Sequence, residues 1–295
     1  MPRLALAALG FLTAASAAAQ RIPGRDLLTY PLGLIGEPAA LGVDAAGGLW
    51  NPASGELGPK DRYRVAVSAL NAPIDLALAG QVLHAASALR GGTFTVSLVH
   101  ASIGSLAHTE TDPQSLGDDV PYYTFVASAG WMRRMSPHVV AGAALRWHTG
   151  TADGVHAHTF TTDGGVVFDH LAWRDATVGV STFLWTPSGR DAPVFEFAAD
   201  ARAAGTDSLR AVRAGLACTH TRGAATEWYP YANVRYGKLE LRGGPVRVEE
   251  FGATTTRMRL AFALHHGTYS VGLVREDNES GLTPTYQLSL ANVIR

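Results

Sequence analysis

Apolar and polar residues alternate along much of the chain with a period of two. In residues 139–148 one face is apolar and ends in Trp147, whereas the other changes from small residues to Arg146 and His148. This alternation predicts a strand whose two faces meet different surroundings. The pattern recurs in residues 176–184, 195–202, 228–236 and 257–265.

The length and number of these segments favour a membrane barrel over a soluble sandwich. They run for roughly 9 to 14 residues, whereas sandwich strands average about 5 or 6 and a tilted membrane strand needs about 9 to 11. Aromatic residues such as Trp147 and Trp173 lie near predicted strand ends, as in interfacial girdles. The chain is therefore predicted to be all-β, a transmembrane antiparallel β-barrel of about 12 to 14 strands in residues 61–295.

The first nineteen residues have the pattern of a secretory signal peptide. Arg3 precedes the apolar run Leu4–Leu12, and Ala17-Ala18-Ala19 offers a cleavage site. We expect cleavage near Ala19 and export of the mature chain. Together with the barrel, this predicts the outer membrane of a Gram-negative-type bacterium, with outer-membrane lipid around the protein.

Residues 20–60 lack strand alternation and are predicted to form a lumenal hatch, a plug segment inside the barrel. A barrel of this width is not filled by its own wall side chains. Tyr30–Leu57 is rich in glycine and largely uncharged, which allows tight turns and close approach to a wall. Within it, residues 49–53 are the candidate hatch residues for ligand contact: Leu49, Trp50, Asn51, Pro52 and Ala53. A plainer interpretation is also open, in which Asn51 caps a turn beside Pro52 while Leu49 and Trp50 pack against the wall.

The same stretch resembles a known family. A segment rich in glycine and alanine with an acidic residue, followed by Trp50-Asn51-Pro52-Ala53, resembles the N-terminal signature of FadL-like outer-membrane proteins, especially their PorV/PorQ branch. Residues 100–112 and His158–Asp169 resemble that branch more loosely. Two features depart from it, since Ser54 stands where glycine is usual and the final strand lacks a terminal aromatic residue. The resemblance implies a hatch-bearing barrel that passes or carries hydrophobic molecules, or serves as a carrier for exported proteins.

Charge and cysteine content narrow the function. The net charge of −1 and the pI near 6.8 argue against a nucleic-acid partner. A single cysteine excludes an internal disulfide framework. The polar strand faces predict lumen-facing charges of both signs, which do not form a simple ion filter. These residues are Glu196, Asp200, Arg202, Arg213, Arg235, Arg257 and Arg259.

An enzyme and a soluble binding protein are the competing interpretations. Ser181 lies in a strand pattern, not in a G-x-S-x-G turn, and no histidine set has a recognised zinc spacing. We therefore expect no catalytic residues, metal or cofactor, although some outer-membrane barrels are hydrolases. A soluble periplasmic β-rich binding protein would show the same alternation with its apolar face turned inward.

Overall fold

The computed structural model describes residues 22–29, 32–72, 77–104, 106, 120–171, 173–186, 192–207, 209–221, 225–250, 252–277 and 284–295. The predicted signal peptide lies outside these residues. So do Tyr30 and, within residues 100–112, positions 105 and 107–112. In the part of the chain that is described, no helix is long and apolar enough to cross a membrane.

Fourteen antiparallel strands fall within the described residues and close into one barrel. Each strand pairs with its neighbours in sequence, and β14 closes the barrel on β1 in a register that sets Tyr63 opposite Ile294. This confirms the predicted barrel, and the strand number is the upper end of the predicted range. The strands β1 to β14 are Tyr63–Asn71, Leu78–Leu89, Gly92–Ile103, Tyr122–Ser136, Val139–Ala152, Val155–Leu171, Ala176–Phe183, Val194–Asp207, Arg210–Thr221, Ala225–Tyr236, Leu239–Glu250, Ala253–His266, Tyr269–Glu276 and Thr285–Ile294.

The two faces of the wall are inverted relative to a soluble protein. Val180 and Leu260 are each 47% exposed on the outer face, whereas Arg146 and Gln287 are 0% exposed on the inner face. An outer surface of large apolar side chains is stable only when something apolar covers it all round, as a bilayer does. The soluble sandwich is therefore wrong, because its apolar face would have to point inward.

The two ends of the barrel differ. At one end, here the turn end, most hairpins close over two residues, as at 90–91, 137–138, 237–238 and 267–268. At the other, the loop end, the connections include residues 72–77, 104–121, 184–193 and 277–284. Membrane barrels of bacteria have short periplasmic turns and longer extracellular loops.

Strand β7 is short and leaves part of its neighbour without a partner. It ends at Phe183, and its pairing with β6 covers only the stretch of β6 from Gly165 to Leu171, apart from an isolated bridge between Thr162 and Trp185. Leu184 then takes a positive φ of 57°, which ends the extended backbone of β7. Near the loop end, residues 184–186 therefore stand beside β6 in place of a regular strand.

Candidate functional site

The N-terminal segment, defined as residues 22–29 and 32–57, packs against the inner face of the wall. It has little regular structure, with short 3-10 helices at Arg25–Thr29 and Ala39–Leu41. Its apolar side chains form a cluster with inward-facing residues of β1 to β4 and with the end of β7. The cluster joins Leu32, Leu34, Leu49 and Trp50 of the segment to Leu70, Val82, Val99, Val126 and Phe183 of the wall.

Glycines on the inner face let the segment come close to the wall. A Cβ atom at Gly142 would collide with the carbonyl oxygen of Pro52, and one at Gly165 would collide with Asn51 Oδ1. A Cβ atom at Gly179 would likewise meet the carbonyl oxygen of Ala40. These glycines are needed because the segment occupies the volume where a side chain would lie.

Inward-facing polar side chains satisfy the backbone of the segment. Gln287 accepts a hydrogen bond from the Gly33 amide at 3.1 Å and donates one to the Leu34 carbonyl oxygen at 2.6 Å. Arg242 Nη1 donates to the carbonyl oxygen of Ile35 at 2.7 Å. A buried irregular segment needs such partners, because most of its amides and carbonyls are not paired in a helix or a sheet.

Further along the segment, hydrogen bonds between wall side chains and the segment backbone continue toward the turn end. Arg64 Nη1 donates to the carbonyl oxygens of Val43 at 3.0 Å and Gly55 at 3.2 Å. The amide of Leu57 donates to Thr93 Oγ1 at 3.1 Å. The segment is therefore bonded to the wall along most of its length.

A buried carboxyl group also holds the segment in shape. Glu37 Oε2 accepts hydrogen bonds from the amides of Val43 at 3.0 Å and Asp44 at 2.9 Å. Burial raises the pKa of the Glu37 carboxyl well above its usual range, and Asp44 adds to this rise while Arg242 opposes it. Arg242 Nη2 lies 3.6 Å from Glu37 Oε1.

A fully buried ion pair of the inner wall lies beneath the segment. Arg146 and Asp163 have side chains that are 0% exposed and form a salt bridge between β5 and β6. Arg146 also donates to the carbonyl oxygen of Leu49, and its guanidinium carbon lies 4.6 Å from the centre of the Phe183 ring. A buried charge is tolerated only when its partners are in place, so the segment is part of what stabilises this pair.

The five candidate hatch residues have different surroundings. Asn51 is 0% exposed and both ends of its side-chain amide are bonded, since Nδ2 donates to the Ala40 carbonyl oxygen at 2.7 Å and Oδ1 accepts from the Ala53 amide at 2.9 Å. Leu49, Pro52 and Ala53 are buried against the wall. Trp50 alone of the five lines a cavity. Its indole Nε1 donates to the Leu32 carbonyl oxygen at 2.8 Å, and its ring centre lies 4.6 Å from that of Phe183.

This cavity has a volume of about 820 Å³ and lies between the segment and strands β7 to β12. It is near the loop end, because residues at the start of β4, β8, β10 and β12 line it. Val43 and Gly55 lie nearer the turn end, where Arg64 binds their carbonyl oxygens. One part of the lining is apolar and aromatic, with Leu28, Pro38, Trp50, Phe183, Val194 and Tyr229.

Another part of the cavity wall carries a balanced charge cluster. Arg259 lies 2.6 Å from Glu276 and 3.1 Å from Glu227, measured between nitrogen and oxygen. Arg257 lies 3.3 Å from Glu276 and 3.7 Å from Glu227. Two guanidinium groups thus face two carboxylates, and the cluster presents polarity to the cavity without a large net charge.

The other predicted lumen-facing residues also lie on the inner face, in separate places. Glu196 lines the cavity and accepts a hydrogen bond from Ser181 Oγ at 2.6 Å. Asp200, Arg202 and Arg213 form a network with Asp175 near the turn end. Arg235 lies on β10 opposite Glu240 of β11. The structure therefore brings Glu196, Arg257 and Arg259 to the cavity and leaves the other four outside its lining.

Sequence reasoning missed several residues of the inner face. Glu227 and Glu276 pair with the cavity arginines, while Arg242 and Gln287 bind the segment. The alternation with a period of two was enough to find Glu227, because this residue lies two positions before Tyr229 and so faces the same side of the strand. The ion pair of Arg146 with Asp163 needed the register of β5 and β6 as well.

Comparison with known proteins finds similarity in structure only. No family model matches the chain, and no curated protein matches its sequence. The Pseudomonas putida toluene transporter TodX is similar in structure, with a TM-score of 0.57 and 11% identity over 88% of this chain and 98% of that chain. The chain shares the TodX fold. A TodX deltaS2S3 mutant, described as a monoaromatic hydrocarbon channel, gives a TM-score of 0.58 and 10% identity over 88% of this chain and 97% of that chain.

At this level of identity the likeness concerns the fold. It supports the FadL-like fold that the sequence resemblance implies, and it says nothing of the PorV/PorQ branch. By their descriptions, the two similar structures are a transporter and a channel.

Proposed function

We propose that the protein is an outer-membrane channel that admits small hydrophobic molecules. The observation that carries this proposal is the cavity of about 820 Å³, with its aromatic and aliphatic lining, inside a barrel whose outer face is apolar. Its volume lies within the range of about 300 to 1,000 Å³ that is usual for small-molecule sites. Trp50 and Phe183, which pack on each other, give this lining an aromatic part.

The N-terminal segment would act as the plug of this channel. Residues 1–19 would be the signal peptide, 20–60 the plug and 61–295 the barrel. Placement of the turn end in the periplasm puts the cavity on the extracellular side, so that a molecule enters from outside and meets the segment. Release toward the periplasm then requires part of the segment to move.

The descriptions of the similar structures support the choice of substrate class. TodX is described as a toluene transporter and as a monoaromatic hydrocarbon channel. The cavity of this protein has the chemistry for a guest of the same class. Its balanced charge cluster adds a polar side, which would suit a hydrophobic molecule with one polar group.

Uptake of radiolabelled toluene by cells that carry the protein tests this function. We expect faster uptake than in cells that lack it. Thr219→Trp should reduce the gain, because Thr219 lines the cavity and the larger indole would narrow it. Ala214→Trp is the matched control, since Ala214 is an exposed residue of the same strand. If neither the protein nor the cavity variant changes uptake, the channel function is wrong.

A carrier of exported proteins is the second candidate, and it rests on the PorV/PorQ resemblance. This resemblance rests on Asn51, Pro52 and Ala53, which are buried where the segment contacts the wall. Their burial is explained by packing of the segment and would be the same in either function. Native mass spectrometry of the purified protein distinguishes the two, since a carrier would retain a polypeptide and a channel would retain a small hydrophobic molecule.

A further inference from the structure

The outer face of strands β10 to β13 contains an apolar groove. It has a volume of about 470 Å³. Ala232 and Gly243 lie at its base, and outward-facing apolar side chains form its sides. These side chains are Val234, Leu241, Met258, Leu260, Phe262 and Leu273.

The pairing register explains why the groove lies there. Ala232, Gly243 and Leu260 are opposite one another on successive strands and all face outward. Gly243 has no side chain and Ala232 has only a methyl group, so the outer surface is indented at this point. In the next row toward the turn end, Val234 and Leu241 project again.

A cation lies at one end of the same row. Arg275 is opposite Leu260 on the outward face of β13 and lines the groove. Its Nε and Nη2 atoms bind Asp277 Oδ1 at 3.0 and 2.8 Å, and its side chain is 48% exposed. Among the described residues, no hydrogen bond or ion pair engages Nη1. The guanidinium is thus oriented by Asp277 and keeps a donor for a second anion.

We propose that this groove binds an acyl chain of a phosphate-bearing lipid, with the lipid phosphate on Arg275. A guanidinium binds phosphate through directed, charge-assisted hydrogen bonds, whereas the apolar sides suit a hydrocarbon chain. Arg275 precedes the last residue of β13, at the loop end of that strand, which is where a headgroup would lie above its chain. The proposal relies on the membrane placement of the barrel and is independent of what the inner cavity transports.

The test uses the full protein in nanodiscs that contain phosphatidylcholine with or without phosphatidylglycerol. Native mass spectrometry after gentle release counts the lipid molecules that remain bound. We expect the wild-type protein to retain phosphatidylglycerol in preference to phosphatidylcholine. Arg275→Gln should reduce this preference about tenfold, the effect of one charge-assisted hydrogen bond.

Two matched controls separate a built site from general attraction. Arg247 is also an exposed arginine with an acidic partner, Glu249, on the same side of the barrel, and it does not line the groove. Arg247→Gln should keep the lipid preference. Ala232→Leu fills the base of the groove and should weaken retention with Arg275 intact, whereas Ala143→Leu on the exposed face of β5 should not.

Each result bears on the proposal. Absence of a phosphatidylglycerol preference in the wild-type protein overturns it, as does an equal loss in Arg275→Gln and Arg247→Gln. If Ala232→Leu retains phosphatidylglycerol as well as the wild-type protein does, the groove is not part of the binding site and the proposal is wrong. A dimer that occupies this face without bound lipid also overturns it. If Arg275→Gln does not fold into a heat-modifiable barrel, the comparison of Ala232→Leu with Ala143→Leu tests the proposal instead. Failure of toluene uptake leaves these outcomes unchanged, so the two proposals fail separately.

Discussion

The side-chain amide of Asn51 donates a hydrogen bond to the carbonyl oxygen of Ala40 over 2.7 Å and so joins two turns of the N-terminal segment. The other side of the same amide accepts from the backbone of Ala53 at 2.9 Å. Ala40 in turn packs against Gly179 of the wall. This side chain therefore links the fold of the segment to its contact with the barrel wall.

Loss of the Asn51 amide should loosen the segment and leave the barrel intact. Asn51→Ala leaves the Ala40 carbonyl oxygen and the Ala53 amide without these partners, at a cost of about 1 to 3 kcal/mol for each buried group. We expect a heat-modifiable barrel with raised conductance in planar bilayers. Asn71→Ala, at an exposed position of β1, is the control and should behave like wild type. Unchanged conductance in Asn51→Ala would mean that this amide does not hold the plug closed.

Two adjacent glycines of β6 allow a direct test of the contact between segment and wall. A Cβ atom at Gly165 would collide with Asn51 Oδ1, whereas one at Gly164 meets nothing within 4 Å. Gly165→Val should displace the segment, with leakage of a bulky antibiotic into cells. Gly164→Val should not, because its side chain points away from the segment. Equal effects of the two valines would show that strand distortion, and not the contact, causes the leak.

Charge on the outer face should destabilise the barrel more than charge on the inner face. Val180→Arg places a cation among lipid chains and should cost about 2 to 4 kcal/mol near the bilayer midplane. Thr255→Arg, on the inner face of β12 and facing the cavity, should cost less. Urea unfolding in lipid vesicles measures both. Gly179 and Ala261 are unsuitable as inner-face controls, because each lies against the N-terminal segment. A larger cost for Thr255→Arg would contradict the assignment of the two faces.

Trp50 should matter to both the plug and the cavity. Trp50→Ala removes a large aromatic side chain that packs on Phe183, so the segment should loosen and conductance should rise less than in a deletion of residues 45–54. Trp50→Phe keeps a smaller ring on Phe183 and loses the hydrogen bond to Leu32, and we expect a smaller rise. Planar-bilayer recordings on the three variants give the order. An effect of Trp50→Phe as large as that of the deletion would assign the role to the hydrogen bond and not to packing.

The sequence by itself determined the strands, their two faces and the class of the fold. Alternation with a period of two is local, so Val180 and Leu260 could be assigned to the outer face without knowledge of any partner strand. Inward charges such as Arg257 and Arg259 followed from the same rule. The glycine-rich stretch before β1 was recognisable as a separate element because it breaks that alternation.

Only the tertiary structure decided which residues meet inside the barrel. Arg146 meets Asp163 because of the register between β5 and β6, and Gln287 meets Gly33 across 254 positions of sequence. Asn51 could be interpreted from sequence as a ligand contact or as a turn cap, and its bond to Ala40 depends on how an irregular segment folds against a curved wall. Such contacts have no period in the sequence. They arise because closing fourteen strands into a ring brings distant positions to one lumen, where each buried polar group needs a partner.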